Sequence, residues 1–261
     1  MKAAILIADS HQELYSEIKR FTHSIIWGNN LWKDFDIFYF EGSRPSPIQE
    51  SLGNIIENGR NSKFSLLIRA EELLSTKMFS RNIPIACRRN STLSVDIPDT
   101  LRNLGKKSVS AYGWTLKENY DFVIKTTISS VFNPRLLKKF LERSEASEYI
   151  YSGKIINPGP HQFCSGANLI LNRKSLEFLS NNFHKWDHSV LDDVAIGKIM
   201  KVGKIPFINV DSINLSSTEE VDFLTSFQLQ NTLHFRCRTF SKIRNDTTVM
   251  LNLMERLQNF I

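Results

Sequence analysis

The sequence predicts an α/β fold: a Rossmann-type single domain with a mostly parallel central sheet flanked by helices. Three observations carry this. Short apolar runs at 3–8 (AAILIA), 36–40 (DIFYF) and 64–68 (FSLLI) alternate with stretches whose apolar residues recur at helical spacing, the rhythm of a parallel sheet wound by helices. The first run is continuous rather than alternating, as in a strand covered on both faces. The 261 residues, 41% hydrophobic and 23% charged, suffice for one substantial core, and no repeat, low-complexity tract or long linker divides them.

The elements follow in order. After the first strand, Ser10 is placed to cap a helix in which Leu14, Ile18, Phe21 and Ile25 face inward. A second strand at 36–40 ends in a Gly/Pro/Ser turn. A helix with Ile48, Leu52, Ile55 and Ile56 inward runs to Gly59, and 64–68 is the third strand. Glu71 to Phe79 reads as a short helix and Ile83 to Cys87 as a short strand. From Leu93 the text is irregular, with Leu101, Leu104, Val109, Ala111, Tyr112 and Trp114 as core candidates. The strand Phe122–Val123–Ile124 leads through the polar turn Thr126–Ser130 to Asn133–Pro134. That pair reads as the cap and first position of a helix with Leu136, Leu137, Phe140 and Leu141 inward. Further strands are expected at 149–151, 167–171, 205–210 and 233–237. Helices are expected around Leu176–Leu179, from Asp192 to Val202 and through Val249, Met250, Leu253 and Leu257, with a capping box at Ser217-x-x-Glu220.

The formal net charge is +6 at pH 7, which favours anionic partners. The basic residues are scattered, and no aromatic–basic interleaving marks a nucleic-acid platform, so nucleic acid is not an expected partner. No apolar run approaches the ~20 residues of a membrane span. The hydrophobic start is too short for a signal peptide, and three cysteines show neither zinc nor disulfide spacing. A cytoplasmic protein is expected, with basic charge suited to peripheral contact with an anionic membrane face.

Residues 96–108 add a specific pattern. Asp96, Asp99, Asn103–Leu104, Lys107 and then Trp114 fall in register with D-F-x-D-x-Y-x-N-L-T-x-K-T followed by Trp. Here Leu101 stands for the Tyr and Gly105 for the Thr. Phe122–Thr126 and Val131–Asn133 match the flanks of F-V-L-K-T-D-D-D-V-F-V-N, while Ser165–Gly166 and Asp192–Asp193–Val194 match a later Ser-Gly and E-D-V-x-x-G. Over about residues 90–205 the chain thus resembles the β-1,3-galactosyltransferase and β-1,3-N-acetylglucosaminyltransferase family, including the Fringe-like enzymes. The resemblance implies a GT-A-like fold, with a nucleotide-sugar-binding half at about 1–125 and an acceptor-binding half at about 126–261. It implies transfer from a nucleotide sugar, UDP-linked in that family, to a glycan or lipid-linked glycan hydroxyl, in the setting of surface polysaccharide or lipopolysaccharide assembly.

The centre departs from the pattern. That family's Asp-x-Asp holds a divalent ion, usually manganese, against the donor diphosphate, whereas this turn reads Thr127–Ile128–Ser129–Ser130. Hydroxyls are poor ligands for a dication, so manganese or magnesium lacks its usual acids and metal-independent transfer is expected. The diphosphate would then be met by Lys, Arg and backbone donors, with Lys107 and Lys125 nearby in the chain. The resemblance makes Asp193 the base that deprotonates the acceptor, with Asp192 beside it; helix capping is the plainer role for either. Donor candidates are Asp9, Asp96, Asn103, Lys107, Lys125, Ser129 and Ser130. Acceptor candidates are Ser165, Gly166, Trp186 and His188, and Arg236 or Arg238 is placed to serve the leaving diphosphate. The alternative is a catalytically silent carbohydrate- or nucleotide-binding protein on the same fold.

Overall fold

The computed structural model describes all residues except 12, 49–50, 52–65, 67–69, 71–73, 75–76, 80, 101–102, 158–161, 240–243 and 261. Its centre is an eight-stranded sheet in the order β11-β7-β10-β5-β1-β2-β4-β3. These strands are β1 (Ala3–Ala8), β2 (Phe35–Ser43), β3 (Cys87–Arg89), β4 (Thr92–Pro98), β5 (Phe122–Thr127), β7 (Tyr151–Gly153), β10 (Asn168–Asn172) and β11 (Phe207–Asn209). The pairs β1·β2, β1·β5, β2·β4 and β7·β11 are parallel; β10 lies antiparallel between β5 and β7, and β3 is antiparallel to β4. A second sheet joins β12 (Ser212–Leu215), β13 (His234–Cys237) and β6 (Ser130–Phe132), and β8 (Ile155–Ile156) pairs with β9 (Phe163–Cys164).

Strand alternation builds two cores. Ile5, Ile7, Tyr39, Phe122 and Ile124 face one side; Ala4, Leu6, Phe38, Phe40 and Val123 face the other. Residues two apart share a face, so a continuous apolar run is what burial on both sides requires. The first core takes Ile18 of helix α1 (Glu13–Thr22), Leu137 and Leu141 of a helix spanning Pro134–Ser144, and Val249, Met250, Leu253 and Leu257 of the last helix, Asp246–Gln258. The second takes Val109, Tyr112 and Trp114 of α2 (Leu104–Lys117), with Leu176 and Leu179 of Arg173–Asn181, and Ile196, Ile199 and Met200 of Asp192–Val202. In chain order these four remaining helices are α3 (Pro134–Ser144), α4 (Arg173–Asn181), α5 (Asp192–Val202) and, after the short α6 (Thr218–Asp222) and α7 (Ser226–Asn231), α8 (Asp246–Gln258).

Several expectations change. The helix α1 passes into a π-turn at His23–Trp27, which shifts its phase: Ile25 is exposed and Ile26 and Trp27 are buried. The strand beside β2 is β4, in the stretch read as irregular, and not 64–68. That run lies outside the described residues except Leu66, which is helical and exposed. Leu52, Ile55, Ile56, Gly59 and Leu101 also lie outside them. Asn133 does cap α3, its side chain accepting from Leu136 N at 3.1 Å. Ser217 caps α6, but Glu220 bonds Ser216 instead of closing the box; the complete box is Thr225 with Gln228. Among the described residues no helix is long and apolar enough to cross a membrane.

Candidate active site

The carboxyl edges of β1 and β5 lie side by side, Ala8 opposite Thr127, at the kind of edge where α/β sheets place ligands. The small sheet follows directly from this edge: β6 begins three residues beyond Thr127, and the Thr127 and Ser130 hydroxyls are 2.9 Å apart. Ser212, His234 and Phe132 align across its three strands, as do Asn214, Arg236 and Ser130. Paired residues point to one face, so Ser130, Arg236 and His234 share a wall. The opposite face, with Phe235, Cys237, Leu215 and Val131, belongs to the first core.

Alternation along β5 sends Lys125 to the same side as Val123, into the second core. A buried ammonium needs a partner there, and it is Asp192 at the start of α5. The two form an ion pair with side chains 4% and 5% exposed, and Ser108 Oγ of α2 donates to the same carboxylate at 3.0 Å. Lys107 is likewise committed. It pairs with Asp99, both nearly fully buried, and donates to the backbone oxygen of Asp9 at 3.3 Å. Both lysines expected at the donor diphosphate are therefore engaged with carboxylates.

The next residue, Asp193, has no such pair among the described residues. Its carboxylate accepts from Gly166 N at 3.1 Å and from its neighbour Val194 N at 2.9 Å. Burial raises its pKa, the like charge of Asp192 adds to this, and Lys125 with the two N–H groups opposes it. The turn Ser165–Gly166 is the seat of this carboxylate: Ser165 Oγ accepts from Ala167 N at 3.3 Å. A Cβ on Gly166 would stand 3.2 Å from Lys125 Nζ and 3.4 Å from Asp193 Cβ. The first approach is tight and the second is ordinary contact, so Gly166→Ala is expected to press on the Lys125 ammonium beside Asp193, disturb the seat and cut turnover about tenfold, with stability changed little. Initial rates and melting temperature measured together check this.

The hydroxyl turn is answered from the far end of the chain. Ser129 Oγ donates to Asp246 Oδ2 at 2.6 Å, and Arg244 Nη2 donates to Ser129 Oγ at 2.8 Å and also pairs with Asp246. Thr239 donates through N and Oγ1 to the other oxygen, at 3.0 and 2.9 Å. Burial works to raise the Asp246 pKa, but the bonds from Arg244, Ser129 and Thr239 outweigh it and hold the carboxyl below its usual range. Ser130 shares a hydrogen bond with Thr127 at 2.9 Å. These groups do not fit a divalent cation: the nearest carboxylate has both oxygens taken by donors, and hydroxyls supply no charge. Among the described residues no group of three His, Cys, Asp or Glu is arranged to hold a metal.

The remaining candidates are spread around this centre. Asp9 pairs with Lys19 at 2.5 Å and is buried at the β1 edge. Asn103 Nδ2 donates to Pro98 O at 3.0 Å, bracing the entry to α2. Asp96 is exposed on β4 and is not brought to the centre. Trp186 and His188 are buried, their rings 6.2 Å apart, and Trp186 packs on Gly105, where a Cβ would stand 2.7 Å from the indole Nε1. That close approach explains glycine at this position, and it leaves no open indole face for a sugar. Burial, with Arg236 and Lys154 nearby, lowers the His234 pKa to about 3, so its imidazole is neutral. Sequence reasoning missed Ser108, Arg244 and Asp246; the one signal was an Arg–Asn–Asp triplet before the last helix, which reads as ordinary capping.

No protein-family model matches the chain, and no curated protein matches it by sequence. Among solved structures it is similar to the galactosyltransferase LgtC in complex with donor and acceptor sugar analogs, at 11% identity and TM-score 0.45, covering 100% of this chain and 95% of that one. It is similar to the glycosyltransferase GlyE of Streptococcus pneumoniae TIGR4 at 11% identity and TM-score 0.46, spanning 99% of this chain but 64% of GlyE. Mouse xyloside xylosyltransferase 1 follows at 9% identity and TM-score 0.39, covering 90% of this chain and 97% of that one. Such distant likenesses assign no activity; the side chains have to.

Proposed function

We propose that the chain is a glycosyltransferase of GT-A type, moving a sugar from a nucleotide-sugar donor to a glycan hydroxyl with inversion. The observation that carries this reading is Asp193. It is a part-buried carboxylate of raised pKa, without an ion pair among the described residues, seated on the Gly166 N–H beside the sheet edge. A base needs a proton affinity lifted toward the working pH and a fixed direction, and this group has both. The acceptor hydroxyl gives its proton to Asp193 as its oxygen bonds the anomeric carbon. The carbon–phosphate-oxygen bond breaks, and the nucleoside diphosphate leaves with the electron pair toward the arginine-bearing wall. The half up to about residue 125 then holds the nucleotide and the half from about 126 the acceptor. A uridine diphosphate donor and a lipid-linked or polysaccharide acceptor at an anionic membrane face suit the resemblance and the charge. Incubation with nucleotide sugars and a panel of glycan acceptors, read as nucleoside diphosphate release, tests the reading. Acceptor-dependent release is expected; no release from any donor–acceptor pair would contradict it.

A further inference from the structure

The turn that would lie against a donor diphosphate carries hydroxyls in place of acids, and two cations reach it from the C-terminal segments. We propose that Arg236 and Arg244 form an anion site for a diphosphate at Ser129–Ser130, doing there what a divalent cation does in related chemistry. The proposal rests on the nucleotide-sugar reading above and deepens it.

Four observations converge. Arg236 stands directly across the β6·β13 ladder from Ser130, on the same face. Arg244 Nη2 lies 2.8 Å from Ser129 Oγ, the preceding residue of the turn. Arg236 has no ion pair among the described residues, and its Nε is buried with no acceptor. Burial first, then the like charge of Arg238 and Arg244, depresses its pKa, and the nearby Asp193 carboxylate only partly opposes this. Finally, on the β12 side of β13, away from the turn, Arg236 and Arg238 line a cavity of about 190 Å³ with Asn214, Ser216 and Glu220, so Arg236 borders open space. Glu220, bonded by Ser216 through N at 2.5 Å and Oγ at 3.0 Å, is one carboxylate in this lining against two guanidiniums.

The chemistry selects the ligand class. A guanidinium fork presents paired N–H donors that match phosphate oxygens two at a time. The Ser129 hydroxyl is spent on Asp246 and accepts from Arg244, so it holds that guanidinium at the turn and the guanidiniums supply the donors. The buried Nε supplies the unmet donor. A dication would gain nothing in this setting: Asp246 is saturated by Arg244, Ser129 and Thr239, and the arginines repel it.

Isothermal titration calorimetry with UDP, GDP and inorganic pyrophosphate, in EDTA and again with manganese, tests the site in wild type, Arg236→Met and Arg236→Lys. A nucleoside diphosphate is expected to bind in EDTA with an affinity that manganese leaves unchanged. Arg236→Met should weaken it ~10- to ~100-fold at an unaltered melting temperature, and Arg236→Lys should recover part. Binding that needs manganese and ignores Arg236→Met overturns this inference and leaves the nucleotide reading standing. Arg236-dependent binding of pyrophosphate with no gain from a nucleoside supports the anion site and overturns the donor reading. No binding of any of the three overturns both.

Discussion

Asp193→Asn should reduce sugar transfer at least ~100-fold while donor affinity stays within about twofold, because the change removes a proton acceptor and not a phosphate contact. Asparagine can still accept from Gly166 N, so the seat survives. Stability separates loss of function from loss of fold. The folded-state carboxyl titrates above its ordinary value of 3.8, with burial the leading cause. Its stabilising contribution is therefore whole below that value and is lost as pH rises through the raised one. The neutral amide of the variant carries no such loss. The melting temperature of Asp193→Asn should gain on wild type as pH moves from acid to neutral. A variant of full activity, or one that melts progressively below wild type over that range, would show that Asp193 is ionised at little cost and is not the base.

The second large effect centres on the buried ion pair that Lys125 makes with the residue just before Asp193. Lys125→Met should destabilise the fold by about 3–5 kcal/mol, since it strands the Asp192 carboxylate at 5% exposure with only the Ser108 hydroxyl to satisfy it. For a chain of this size that is a melting-temperature fall of roughly 10 °C. Lys125→Met combined with Asp192→Asn should recover more than half, because the neutral amide still accepts from Ser108. The reverse result, a loss below about 1 kcal/mol, is the behaviour of a solvent-screened pair. Denaturant unfolding of wild type and the two variants decides between these outcomes.

How much of this was legible in the sequence depends on how local each feature is. The apolar run at 3–8, the Asn133–Pro134 cap and the Asp192–Val202 helix ended by Gly203 are set by residues next to one another, and they stand as read. The π-turn at His23–Trp27 was not legible, because one added residue per turn leaves no mark in a helical pattern. The strand β4 was hidden by mixed polarity, Leu-Ser-Val-Asp-Ile, and β12 by its four-residue length, Ser-Ile-Asn-Leu. At the site, residue types were legible and partners were not. Lys125 finds Asp192 across 67 positions and Ser129 finds Asp246 across 117; no local spacing encodes such pairings. Two lysines that looked available for phosphate are thus bound to carboxylates, and Arg236, which has no ion pair among the described residues, comes from beyond residue 230.

The central claim is that this edge of the sheet binds a nucleoside diphosphate. Thermal unfolding of the wild-type protein with saturating nucleoside diphosphates measures it most directly. A ligand at about 100 times its dissociation constant stabilises the folded state by ~2.7 kcal/mol, so one nucleotide should raise the melting temperature by about 5 °C or more, in EDTA as well as in manganese. An unchanged melting temperature with every nucleoside diphosphate tried, in either condition, would contradict the account.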